Sequence, residues 1–198
     1  MMTSFTRIVV VFSLLRTAIG LQQTPPNTVI IGLSLFLTFF IMSPVFTNAY
    51  TQGVQPLINE EIDELTAFDR TVAPFKVFML EHVRRQDLVL FADFAGDEVY
   101  ETPEATPLHV LVPAFMISEL RRAFEIGFML FLPFLIIDIV TASILMSMGM
   151  MMLPPIIISL PFKLIFFVLV DGWYLVSGSL VESYGVTQIS PVPTGEGG

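Results

Sequence analysis

Five ionisable side chains lie within or at the edges of apolar runs: Glu119, Glu125, Asp138, Lys163 and Asp171. A charge in such a run costs several kcal/mol unless it is paired or hydrated, so each is a candidate functional group. Lys163 is expected in an ion pair with Glu119 or Asp138 that fixes how helices or subunits pack; read chemically, the same groups would form a proton relay. Asp138 and Asp171, on separate apolar segments, also raise a proton-coupled transporter or an intramembrane aspartic protease, in which two carboxylates share a proton and activate water. Neither aspartate stands in a Gly-x-Gly-Asp context, which argues against the protease.

A second feature is the stretch Gly149, Met150, Met151, Met152, Leu153, Pro154 and Pro155. Three successive methionines cannot all face one way on a helix, and the flanking glycine and prolines predict a helix break. Unbranched thioethers suit flexible core filling, and equally a deformable surface that closes on itself and moulds around something passing through.

Other chemistries are poorly served. The chain has no cysteine, so it has neither disulfides nor thiolates, and its two histidines, His82 and His109, are far apart in sequence, so no metal site is expected. A net charge of -9 with scattered basic residues argues against a nucleic-acid partner. With 54% hydrophobic residues, 14% charged residues and a mean hydropathy of +0.78, the chain reads as an integral membrane protein.

The elements that must position these groups follow from hydropathy and turn signals. Between Arg7 and Arg16 only Ile8 to Leu15 is uncharged, too short to span, so the first segment is a short helix buried among protein neighbours or the end of a longer one. Gln22 to Asn27 is a turn in which Asn27 can cap the next helix, which runs from Thr28 to Val45, with Gly32 and Ser34 allowing close approach and Pro44 ending or kinking it. Residues 1–49 thus form a first helical hairpin.

Thirteen of the eighteen acidic residues fall between Tyr50 and Glu119, which marks residues 50–119 as an acidic helical insert outside the bilayer. Asn59 is expected to cap its first helix ahead of Glu60, Glu61 and Asp63, and a second amphipathic run after Pro74 places Phe75, Phe78, Met79, His82 and Val83 on one face. Gly96 to Pro107 reads as a loop, and Ser118 to Glu125 as a charged collar. Residues 120–184 form a second helical hairpin holding the Met-Pro break, and residues 185–198 a disordered tail. Basic residues near the helix ends do not decide orientation.

Several blocks in order carry a resemblance. They are Thr3-Ser4-Phe5-Thr6-Arg7-Ile8, Thr24-Pro25-Pro26-Asn27, Phe39 to Val45, Ser118-Glu119-Leu120, Phe131 to Asp138, Gly149 to Met152 with Pro154-Pro155, Ser159 to Lys163, and Val168 to Trp173. Together they resemble the FliP/SctR family of type III secretion export-gate proteins, on its flagellar side. The resemblance implies an all-α, non-enzymatic subunit without cofactor that assembles as a homopentamer into a helical pore in the bacterial inner membrane, at the flagellar basal body. FliQ, FliR, FlhB and FlhA would be its partners and unfolded flagellar proteins its cargo. It further implies Met150, Met151 and Met152 as a pore gasket, a Glu119–Lys163 pair, Asp138 as a further family acid, a periplasmic insert, and a first helix that extends upstream of Met1.

Overall fold

The computed structural model describes residues 1–96, 105–149 and 154–185. The segments 97–104, 150–153 and 186–198 lie outside the described residues, and with them most of the expected 96–107 loop, the three methionines and nearly all of the expected tail. Every described element is helical: α1 (Phe5–Ile19), α2 (Asn27–Ala49), a π-helical turn (Tyr50–Val54), α3 (Gln55–Ile58), α4 (Glu64–His82), α5 (Arg85–Ala95), α6 (Leu108–Ser147), α7 (Pro155–Leu169) and α8 (Gly172–Glu182).

The first helix is the short buried one. Ile8, Val11, Phe12 and Leu15 are at most 1% exposed, because α1 packs between α2 and α6 and touches α7 near its end. Gly20 stops it in a left-handed conformation, with φ +92°, and the amide of Leu21 bonds back to Arg16 O at 3.1 Å. This closing turn needs a residue without Cβ strain. The turn that follows leads to α2, but Asn27 does not cap it: it is already the first helical residue, and its Oδ1 accepts from Arg16 Nη1 at 2.6 Å.

Proline ends fewer helices than its local effect predicts. Pro44 lies inside α2, which continues through the π-turn and α3 as one apolar rod, Asn27–Ile58, of 32 residues. Pro74 lies inside a single α4 rather than before a second run, and Pro113 and Pro133 lie inside α6. Asn59 closes α3 instead of opening a helix, and Asp63 is the residue that precedes α4, where Thr66 donates to its carboxylate. Loss of one backbone bond per proline is outweighed where both sides of the helix are held by packing. The charged collar therefore sits in the middle of α6, a helix of 40 residues, and not at its end.

By length and composition Asn27–Ile58 and Leu108–Ser147 are each sufficient to cross a membrane, and α7 with α8 forms a third, broken candidate bent by 61°. A 40-residue helix is about 60 Å long, roughly twice the hydrocarbon thickness, so α6 projects well beyond any bilayer. Helices α4 and α5 pack on its projecting part, where Phe78, Met79 and His82 are buried as their spacing predicts.

Small residues mark the closest approaches. Ser34 and Thr38 of α2 are buried, their hydroxyls donating to Ile30 O and Ser34 O, both at 2.7 Å. Gly32 is not such a site, since a Cβ there would meet nothing within 4 Å. Gly53 is one: a Cβ would lie 2.7 Å from Thr71 N and 2.9 Å from Ala67 O, backbone atoms of α4. Gly53→Ala should therefore lower the thermal stability of the detergent-purified chain by about 1–3 kcal/mol. Gly32→Ala should leave it unchanged or raise it by up to about 1 kcal/mol.

Candidate functional site

Helix α6 carries two polar centres, one buried and one partly exposed, and each is completed by residues from other helices. The upper one is built on Ser118 and Glu119, both fully buried. Arg7 of α1, itself 1% exposed, donates through Nη2 to Glu119 Oε1, and Tyr184, just after α8, donates its hydroxyl to Glu119 Oε2. The guanidinium lies 3.9 Å above the Tyr184 ring, and Nη1 reaches Ser183 Oγ at 2.9 Å. One carboxylate thus holds the start of α1 and the end of α8 on α6.

Ser118 performs the same service for α5. Its Oγ accepts the Arg84 amide at 3.0 Å and donates to Asp87 Oδ2 at 2.6 Å, while Arg84 grips Asp87 through Nε and Nη2 at 2.9 and 2.8 Å. His82 closes the group from α4, its ring tilted against those of Phe78 and Tyr184 at centroid distances of 4.5 and 5.0 Å. Its Nδ1 lies 2.7 Å from Phe78 O, and a carbonyl only accepts, so Nδ1 carries the proton. Burial pushes the His82 pKa below its ordinary 6.5, with the Arg7 charge acting in the same direction, so the ring is neutral. Burial likewise pushes the Tyr184 phenol upward, with Glu119 adding to the shift, which keeps it a donor.

The lower centre is Asp138. Lys163 Nζ of α7 pairs with its Oδ2 at 2.6 Å, and Ser159, one turn earlier on α7, donates to Oδ1 at 2.6 Å. The same ammonium reaches Ala18 O at 3.3 Å, a carbonyl in the last turn of α1 that has no helical donor, where the helix dipole favours a cation. Three helices are joined at one charge pair. A cavity of about 560 Å³ opens beside it, lined by Arg16, Phe131, Ile156 and Leu160 among others.

The expected pairing of Glu119 with Lys163 is not made within the chain; Lys163 meets Asp138 and Glu119 meets Arg7. Helix geometry gives the reason. Glu119 and Asp138 are nineteen residues apart on one unbroken helix, about 28 Å along its axis, and α7 approaches only the lower level. Glu125 pairs with Arg121 on the exposed side of α6 at 2.9 Å.

Asp171 is not inside an apolar helix. It sits exposed at the bend between α7 and α8 in a left-handed conformation, φ +50°, where Gly172 lets the Phe167 ring pack directly against the backbone. Asp138 contacts α7 at Ser159, so the two aspartates are separated by nearly the whole of α7, on the order of 15 Å, and cannot share a proton. Among the described residues no three histidine or acidic side chains converge as metal ligands would.

The break itself is visible from both sides. Helix α6 ends at Ser147 and Gly149 takes φ +73°, while Pro154 precedes α7 and Pro155 is its first residue, the position at which a missing amide costs nothing. Arg7, Asp87, Ser118 and Tyr184 went unnoticed as site residues in the sequence. Only Arg7 had a signal there, as a charge interrupting an apolar run.

A model of the FliP family matches residues 1–180. The chain is 61% identical over 184 residues to the flagellar biosynthetic protein FliP of Caulobacter vibrioides, covering 93% of this chain and 69% of that one. It is 54% identical over 184 residues to the protein of that name from Bacillus subtilis, covering 93% and 83% of the two chains. With the Aquifex aeolicus protein of that name it shares 56% identity over 187 residues, covering 93% and 78%.

Glu119→Gln leaves the buried Arg7 charge without its counterion and should cost about 3–5 kcal/mol in unfolding measurements. Exchanging the charges of Asp138 and Lys163 together should restore folded protein lost in either single reversal, whereas exchanging Glu119 and Lys163 should not. Because the fold holds His82 neutral while the unfolded chain protonates it, its stabilising contribution is full above pH 6.5 and is lost as pH falls through 6.5 towards the lower folded value. Thermal unfolding should shift downward over that window in the native chain and much less in His82→Phe.

Proposed function

The chain belongs to the FliP family, and from that membership we propose that it is a pore subunit of the flagellar protein export gate in the bacterial inner membrane. Five copies form a ring and act with FliQ, FliR, FlhB and FlhA to pass unfolded flagellar proteins outward, with the proton-motive force and these partners supplying the drive. The acidic insert faces the periplasm. In this reading the chain performs no catalysis; its work is to hold a closure that yields to a polypeptide and not to ions.

The observation that carries the reading is the anchoring of the break. The Met150–Met152 run joins two apolar helices, and Lys163 and Ser159 of α7 are fastened to Asp138 of α6 within three turns of that junction on either side. A seal made by so short a connection needs both of its helix ends fixed. Methionine has the soft, unbranched side chain such a seal needs. With the ion pairs satisfied inside the subunit, the seal itself can remain apolar, which raises the barrier to hydrated ions.

Replacing Met150, Met151 and Met152 together by alanine should make cells that overproduce the assembled gate leak ions, read as growth inhibition and increased membrane conductance; unchanged conductance would remove the gasket role. Met151→Cys should crosslink to an export substrate stalled in transit. A native mass equal to a single chain within an active export complex would overturn the ring.

A further inference from the structure

Helix α8 is lightly held along its length. Its start is folded back by Trp173 against Phe12, at 6.1 Å between ring centroids, and beyond that it approaches α2 and α7. Its far end is fastened by the two residues that follow it. Ser183 Oγ accepts from Arg7 Nη1 at 2.9 Å, and Tyr184 donates to Glu119 Oε2, lies under the Arg7 guanidinium and packs against the rings of Phe78 and His82. Helices α1, α4 and α6, by contrast, contribute to one continuous apolar core. Weakening the fastening therefore frees the end of α8 first.

His82 is the member of this group whose ordinary pKa lies near physiological pH. Neutral, it donates from Nδ1 to Phe78 O and brings no charge into the cluster. A second proton, on Nε2, makes it a cation. The charged groups that face it are Arg7 on α1 and Glu119 and Arg122 on α6, while the Tyr184 phenol stays a neutral donor. Helices α2 and α3 carry no ionisable residue, and the π-helical turn meets α4 at Ala67 and Thr71, about three turns before His82. Both Glu119 oxygens are already engaged, by Arg7 and by Tyr184, and both Asp87 oxygens by Arg84 and Ser118. An imidazolium at this place is repelled by Arg7, and to the extent that it draws Glu119 towards itself it takes that carboxylate from Arg7 and Tyr184. Either response undoes the fastening.

We propose that His82 is an acid-sensitive latch: on gaining its second proton it releases Ser183 and Tyr184 from Arg7 and Glu119, so that the end of α8 leaves α1 and α6 while these stay packed with α4. Burial holds the His82 pKa below 6.5, so the latch is closed at neutral pH and opens under acid. The device makes the packing of α8 depend on the acidity around the insert, and it does not rest on the ring proposed above.

The chain has no cysteine, so a single introduced thiol reports directly. Leu180→Cys places one on the last turn of α8, where the native side chain is 1% exposed, and Val11→Cys places a reference at a buried position of α1. In the full chain in membranes, the maleimide labelling rate of each is divided, at each pH, by its rate in the chain denatured with dodecyl sulfate. Between about pH 7.5 and about pH 5 the relative rate at Leu180→Cys should rise roughly tenfold while Val11→Cys stays protected. The rise should vanish in both His82→Phe and His82→Gln. Tyr184→Phe, which removes the bond to Glu119, should give the high Leu180→Cys rate already at neutral pH. A Leu180→Cys rate that does not respond to acid, a rise that persists in the His82 variants, or equal opening of both thiols overturns the latch; so does a Tyr184→Phe chain in which Leu180→Cys stays protected.

Discussion

A carboxylate drawn out of water between helices needs a cation at hydrogen-bond distance, and α6 carries two that meet one, the fully buried Glu119 and the partly exposed Asp138, at levels about 28 Å apart. The arrangement of the other helices follows from satisfying both. Arg7 brings the beginning of α1 to the upper level and Lys163 brings α7 to the lower one. Each cation also makes a second contact, Arg7 by seating the Tyr184 ring and Lys163 by supplying a donor to the end of α1. Apolar burial is non-directional and by itself would fix the register of α1 and α7 against α6 only loosely. The ion pairs remove that freedom, which is the role in which buried charges are better attested than in stabilisation.

The same constraint explains where the molecule is polar. Ser118 and Glu119 are neighbours on α6, one facing α5 and the other facing α1 and the turn after α8, so three chain segments converge on two successive residues. Tyr184 packs on His82 and Phe78, which ties α4 to the same point. The insert is therefore not a separate globule hung on a membrane anchor. It is built around the first part of α6, a helix long and apolar enough to cross a membrane with the rest of its length.

The break between α6 and α7 gains its meaning from this rigidity. The helices that flank it are pinned to each other by Asp138, Ser159 and Lys163, the fixed frame that the proposed seal requires. The bend at Asp171 differs from it in kind: there Phe167 lies on Gly172 and Trp173 meets Phe12, so α8 is folded back onto α1 by aromatic packing.

The sequence by itself determined the class of molecule, the helical content, the isolation of Ile8 to Leu15 as a short buried helix, the buried face of Phe78, Met79 and His82, and the break at Gly149 and Pro154. These depend on local signals: apolar run length, helical periodicity, and the backbone limits of glycine and proline. No helix ends at Pro44, where an end or a kink was expected, or at Pro74, because a proline removes one hydrogen bond while packing along both flanks holds the helix, and the charged collar lies within α6. The partners of the charges were decided by tertiary structure alone. Glu119, Asp138, Arg7 and Lys163 are all legible as costly charges in apolar surroundings, yet which cation meets which anion depends on the heights at which unconnected helices cross α6, and no spacing along the chain encodes that height.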